Sequence, residues 1–158
     1  MTDYRLTPCD VECAEHLQAL VQLLQHYMAD PMGDHRPLTP REELRLVDGL
    51  TNHPGAWVVL LETEGRYIGM ATCFELFSTF QVKPYLYVHD VVVNSDYRGK
   101  GCGRLLLEGI VEEARTRGCC KVTLEVRHDN TVAKQLYRTL GFGECDPLMH
   151  FWTKILES

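Results

Sequence analysis

The stretch YLYVHDVVVNSDYRGKGCGR, residues 85–104, joins an apolar, β-branched run to a glycine-rich turn. Tyr85 to Val93 has the composition of a buried strand. Asn94 to Tyr97 is polar and ends it. Arg98-Gly99-Lys100-Gly101-Cys102-Gly103 follows, and a helical pattern begins at once. Three glycines within five positions leave backbone N–H groups unshielded by a Cβ. A helix N-terminus behind them contributes about half a positive charge. Together they form an anion site of the kind that receives a pyrophosphate. Arg98, Lys100 and Arg104 add formal charge to it.

Three phosphate loops compete for this pattern. A Walker loop requires G-x-x-x-x-G-K-[ST], and no glycine here precedes Lys-Ser or Lys-Thr. A dinucleotide fingerprint requires G-x-G-x-x-G. Gly99 and Gly101 satisfy its start, but position 104 is arginine. The link from Val93 to Gly99 is also too long for the tight turn of that fold. The third loop, Arg/Gln-x-x-Gly-x-Gly/Ala, is matched at every fixed position by residues 98–103.

Further on lie Gly118-Cys119-Cys120, a strand from Lys121 to Val126, then Arg127-His128-Asp129-Asn130 and a helical run from Thr131 to Leu140 that ends in Gly141-Phe142. Asn130, Ala133, Leu136, Tyr137, Gly141 and Phe142 reproduce Asn-x-x-Ala-x-x-Leu-Tyr-x-x-x-Gly-Phe. With the loop in the right order and spacing, the chain resembles the GNAT superfamily of N-acetyltransferases, closely over residues 85–156 and loosely before. The strand 85–93 is similar to that of diamine N-acetyltransferases. There a glutamate stands at the position of His89 and an aspartate at that of Asp90, so this chain departs from the polyamine pattern at one of the two.

The 158 residues suit one domain with a real core, and 45% apolar content suits a soluble globular protein. No stretch reaches the roughly 20 apolar residues of a membrane span. The N-terminus is not a signal peptide. Seven cysteines form no regular framework and no C-x-x-C pair, which points to reduced thiols, a cytoplasmic setting and no metal. A net charge of −6 disfavours nucleic acid and mildly favours a cationic amine.

The periodicities predict a strand at Tyr4–Thr7 and a helix from an Asp10 cap to about Asp30, with Ala14, Leu17, Val21, Leu24 and Met28 as its stripe. A short helix follows over 40–50, started by the capping box Thr39-Pro40-Arg41-Glu42. Strands at 57–62 and 67–77 flank a Glu64-Gly65 hairpin turn. After the strand at 85–93, a helix over 101–117 turns Cys102, Leu105, Leu106, Ile110 and Ala114 to the sheet. Cys119-Cys120 opens a buried strand. Residues 150–156 read as a closing strand. The fold class is α/β. The resemblance implies a mostly antiparallel, mixed central sheet, splayed in the middle and flanked by about four helices.

The resemblance further implies acetyl transfer from acetyl-CoA to an amine, directly in a ternary complex. The backbone of Gly99–Arg104 would cradle the pyrophosphate, with Arg98, Lys100, Cys102 and Gly103 in the same loop. The main chain of Val91, Val92 and Val93 would pair with the pantetheine arm. Asn130 would bond the cofactor or simply cap the last helix, and Ala133 lies on the cofactor side of that helix. Tyr137 is the family's general acid: a phenol with pKa near 10 stays protonated and can supply a proton to a departing thiolate. An alkyl ammonium needs a base, and His89, Asp90 and Glu125 are the candidates. Strand alternation sets His89 and Asp90 on opposite faces unless a bulge intervenes. Tyr27, Met28, Asp30, Asp34 and His35 are the local options for one acceptor wall, and Phe77, Phe80 and Tyr85 for the other.

The leading expectation is therefore a small-molecule amine acetyltransferase. A peptide or protein N-acetyltransferase and a non-catalytic coenzyme A sensor are the alternatives; an intact Tyr137 argues against the sensor. The aromatic-rich C-terminal strand leads us to expect a homodimer, with Trp152 in the contact.

Overall fold

The computed structural model describes residues 3–33 and 35–157. Asp34, one of the acceptor-wall candidates, lies outside them. A five-stranded sheet in the order β1-β2-β3-β4-β5 is made by Arg5–Pro8, Ala56–Thr63, Arg66–Ser78, Lys83–Val93 and Val122–Leu124. The first four pair antiparallel in chain order, and β5 joins β4 in parallel. Helices α1 (Ala14–Met28) and α2 (Pro40–Asn52) lie between β1 and β2 in the chain. A short 3-10 turn at Ser95–Tyr97 leads from β4 to α3 (Cys102–Thr116), and α4 (Thr131–Thr139) follows β5.

Alternation along the strands divides the core into two layers. Val59 and Leu61 of β2 pack with Leu106, Leu107 and Ile110 of α3. Val58 and Leu60 face the other way, against Leu20, Leu23 and Leu24 of α1. The α3 stripe is the expected one save that Leu107 is fully buried and Leu105 only half-buried. At 3.6 residues per turn Leu107 falls beside Ile110 and Ala114, whereas Leu105 lies at the margin of that face.

The sheet is splayed where a bulge interrupts β4. Thr72 of β3 pairs with Asp90, but Cys73 pairs with Val88, so His89 is the extra residue. An inserted residue inverts the facing of everything after it. Leu86 and Val88 face α3; beyond the bulge Val91 and Val93 take that side, and Val92 packs on the α1 side. On its other edge β4 pairs with β5 only over Leu86–Val88. From His89 onward the two strands part.

Capping chemistry accounts for several boundaries. Thr39 Oγ1 accepts from the Glu42 N–H and Glu42 accepts from the Thr39 N–H, a closed capping box. Arg36 holds the same Glu42 carboxylate and keeps its pKa well below the usual range. The Glu64-Gly65 turn has positive φ at both residues, as the type I′ form of a two-residue hairpin requires.

Asp10 does not cap α1: its carboxylate accepts from the Glu12 N–H in a local turn, and the helix starts three residues later than the cap predicts. Cys119 and Cys120 sit before β5 and are half-buried, because β5 begins only at Val122 and has a neighbour on one side. Residues 150–156 form no strand: 143–157 carry no regular structure and are exposed throughout. A strand needs a ladder partner, and none of the described residues supplies one to this segment.

Candidate active site

Where β4 and β5 diverge, a cavity of about 830 Å³ opens between them. That is within the usual size of a ligand site. Val88, His89 and Val91–Val93 form one wall, and Leu124–Arg127 with Ala133, Leu136 and Tyr137 of α4 form the other. Arg98, Gly99 and residues 101–104 close one end, and Tyr27, Asp30, Pro31 and Met32 lie across the mouth.

The glycine loop is built as a cradle. Gly99 and Gly101 have φ of 72° and 84°, and a Cβ added to either would meet nothing within 4 Å. Both positions therefore present backbone to open space in a conformation that L side chains rarely adopt. Gly101 is the N-cap residue of α3, whose first turn leaves the N–H groups of Cys102, Gly103 and Arg104 without helical acceptors. This donor set fits a pyrophosphate.

The cations of the loop are already committed. Arg98 Nη1 lies 2.8 Å from Asp30 Oδ2, and Arg98 Nε donates to the Val93 carbonyl at 3.1 Å. The Met32 N–H first, and then the Arg98 guanidinium, hold the Asp30 carboxyl below its ordinary pKa. Lys100 donates to the Asp96 carbonyl and lies over the Tyr97 ring, and it does not line the cavity. Arg104 bonds Thr139 Oγ1 at 2.7 Å. In this arrangement the anion site consists chiefly of backbone N–H groups.

At the other end stand the groups capable of moving protons. Tyr137 is largely buried on α4, and burial together with the nearby Tyr27 raises its pKa. It is thus a firmly protonated phenol. His89 Nδ1 lies 3.1 Å from Asp90 Oδ2. The hydrogen bond to Asp90 raises the His89 pKa, and the Asp90 and Glu125 charges add to that. The Asp90 side chain is mostly shielded and does not line the cavity; His89 does. Burial, and then the hydrogen bond that its hydroxyl donates to Glu125, push the Tyr87 pKa up to about 12.

Asn130 and Ala133 both line the cavity. The Asn130 side-chain oxygen accepts from the Ala133 N–H at 3.1 Å, so the helix-cap role is realised. Phe77, Phe80 and Tyr85 line no part of the cavity; they belong to the β3–β4 hairpin at the opposite end of the sheet. His35 is absent from the lining as well. Arg127 closes the acceptor side instead, donating to the carbonyls of Pro31 and Met32 across the mouth while pairing with Asp129. Nothing in the local sequence marks it, since its carbonyl partners are 95 and 96 positions away. Among the described residues there is no cluster suited to a metal ion, and no helix is long and apolar enough to cross a membrane.

An open, largely antiparallel sheet with a backbone anion cradle beside its cleft is an acyltransferase architecture. The chain belongs to the acetyltransferase (GNAT) family, whose profile matches residues 18–142. The solved structure of a probable acetyltransferase superposes with a TM-score of 0.84 over 98% of this chain and 99% of that one, at 19% identity. An uncharacterised N-acetyltransferase of Bacillus subtilis (strain 168), YhfO, is 29% identical over 102 residues, 65% of this chain and 68% of that protein. The [ribosomal protein bS18]-alanine N-acetyltransferase of Salmonella typhimurium (strain LT2) is 44% identical over 55 residues. That match covers 35% of this chain and spans only 37% of the curated relative's length.

Proposed function

We propose that the protein transfers an acetyl group from acetyl-CoA to a primary amine of a small molecule, by direct attack in a ternary complex. The observation that carries this reading is the single cleft that joins a backbone anion cradle at Gly99–Arg104 to His89 and Tyr137. The cradle residues would hold the pyrophosphate. The main chain of Val91–Val93, unpaired by β5, would hold the amide-bearing arm, which supplies the acetyl thioester when bound.

His89 takes the proton from the attacking ammonium. Asp90 orients the imidazole and stabilises its charged form. The amine nitrogen would attack the thioester carbon, the C–S bond would break as Tyr137 delivers its proton to the departing sulfur, and the second proton shed by the nitrogen would restore the phenol. Cys102 is 1% exposed, which supports direct transfer over an acetylated cysteine. The Arg127 bridge across the mouth narrows the acceptor side and favours a small amine.

A protein N-terminus as acceptor is the second reading, favoured by the stretch shared with the bS18-alanine enzyme. Turnover assays across polyamines, amino acids, aminoglycosides and short peptides separate the two. The proposal expects turnover with small amines well above that with peptides, and the reverse order would select the second reading.

A further inference from the structure

On the side of the sheet away from α3, one row of residues is left uncovered. On that side α1 packs on Val58, Leu60, Met70 and Val92. In the next row Ala56, Phe74, Tyr87 and Thr123 stand in register across β2, β3, β4 and β5. Phe74 and Tyr87 belong to neither layer of the core and are only half-buried. α2 contributes no buried side chain that could cover them. The rings nevertheless form a continuous line. His53, the C-cap of α2, meets Phe74 edge-on with ring centroids 5.0 Å apart. Phe74 and Tyr87 each meet His89 edge-on at 6.0 Å. Leu76, the next residue of β3 on this face, is 40% exposed. The line starts in the cleft, because His89 is also part of the cleft wall. It ends at Tyr85, whose ring carries the Lys121 ammonium at 4.9 Å.

We propose, on the reading of His89 as the base for the acceptor, that the acceptor is a primary amine carrying a flat apolar ring on a short alkyl linker, and that this ring lies on the row of Phe74, Tyr87 and His53. The nitrogen has to reach His89. Gly99–Arg104 and Val91–Val93 are taken by the cofactor, and Arg127 spans to the carbonyls of Pro31 and Met32 at the mouth. The body of the amine is left the direction along β4, over Tyr87 and Phe74. Aromatic rings pack with one another at centroid separations of about 4.5–7 Å. The row already follows that pattern, and its half-exposed rings leave room for one more. Its polar atoms are committed elsewhere. The Tyr87 hydroxyl donates to Glu125, and His53 Nδ1 accepts from the Gly55 N–H at 3.0 Å. A hydroxyl-rich acceptor therefore finds few partners there, whereas a ring finds edges and faces.

Phenethylamine and hexylamine are matched probes: both are primary amines of similar size, and only the first has a ring. The unmodified protein should favour phenethylamine in kcat/KM by roughly tenfold, the scale of a well-placed aromatic contact. Phe74→Ala should bring that ratio close to one, and taking the ratio cancels any general harm to His89. His53→Ala, at the far end of the row, should lower the same ratio and serves if Phe74→Ala does not fold. A ratio near one in the unmodified protein, or a ratio that both variants preserve, would overturn the proposal. Saturation-transfer NMR on the protein loaded with coenzyme A reads the preference without turnover. Should no amine be acetylated, saturation of phenethylamine and not of hexylamine, lost in Phe74→Ala, would show that the row binds rings and that the catalytic reading is what fails. Equal saturation of the two amines would overturn the row as a ring site.

Discussion

His89 and Asp90 are consecutive residues of one strand, yet their side chains meet, with Nδ1 and Oδ2 3.1 Å apart. The bulge at His89 permits this, because the inserted residue breaks the alternation that would send the two to opposite faces. The same insertion marks where β4 leaves β5. One local irregularity thus opens the cleft and joins His89 to Asp90 at its wall.

The pair fixes a pH dependence. A base must be neutral to act, so kcat/KM rises with pH through the His89 pKa, which lies above its ordinary 6.5. Asp90→Asn removes the main cause of the shift and moves the midpoint down toward that value. His89→Gln abolishes this limb. The linked stability has the opposite sense. A raised folded-state pKa stabilises the protein fully below about pH 6.5, and that contribution disappears as pH rises through the folded value. A rate limb that survives His89→Gln unchanged assigns the base to another group, Glu125 foremost.

Gly101→Val tests the cradle. The left-handed φ of 84° makes any side chain strained there, at a cost of about 1–2 kcal/mol to the unliganded protein. The added methyls occupy the open space in front of the loop, so the KM for acetyl-CoA should rise far more than the stability loss explains. Thermal melting with and without acetyl-CoA separates the two effects. A variant that melts lower but keeps the full ligand-induced shift would remove the loop from the binding site.

Arg98 and Asp30 tie the glycine loop to the segment after α1. Asp30→Ala should lower stability by only about 1 kcal/mol or less, the scale of a partly exposed pair. Its larger effect is expected on the acceptor KM, because Pro31 and Met32 at the cleft mouth follow directly. Steady-state kinetics with both substrates varied resolves this. Equal changes in both KM values would mean that the pair does not act on the acceptor side in particular.

How far these features could be read from the chain depends on their range. The β4–loop–α3 unit, the capping box and the Asn130 cap are local, and each residue meets its partner within a few positions. The α1 start was misplaced because Asp10 serves equally well as a turn former, and only the packed helix decides. Residues 85–93 leave open whether a bulge intervenes, because its place is a property of the pairing with β3 and not of that stretch alone. Arg98 reads as a phosphate cation because its carboxylate partner is 68 positions away. Residues 149–155 carry the alternation of a strand, yet none of the described residues pairs with them.

Release of free coenzyme A thiol from acetyl-CoA, followed with a panel of primary amines for the unmodified protein and for Tyr137→Phe, tests the central claim most directly. The account predicts amine-dependent release by the unmodified chain. It further predicts turnover reduced about 10²–10⁴-fold in Tyr137→Phe, with acetyl-CoA binding retained. No amine-dependent release, or equal turnover by the two proteins with the chemical step rate-limiting, would contradict it.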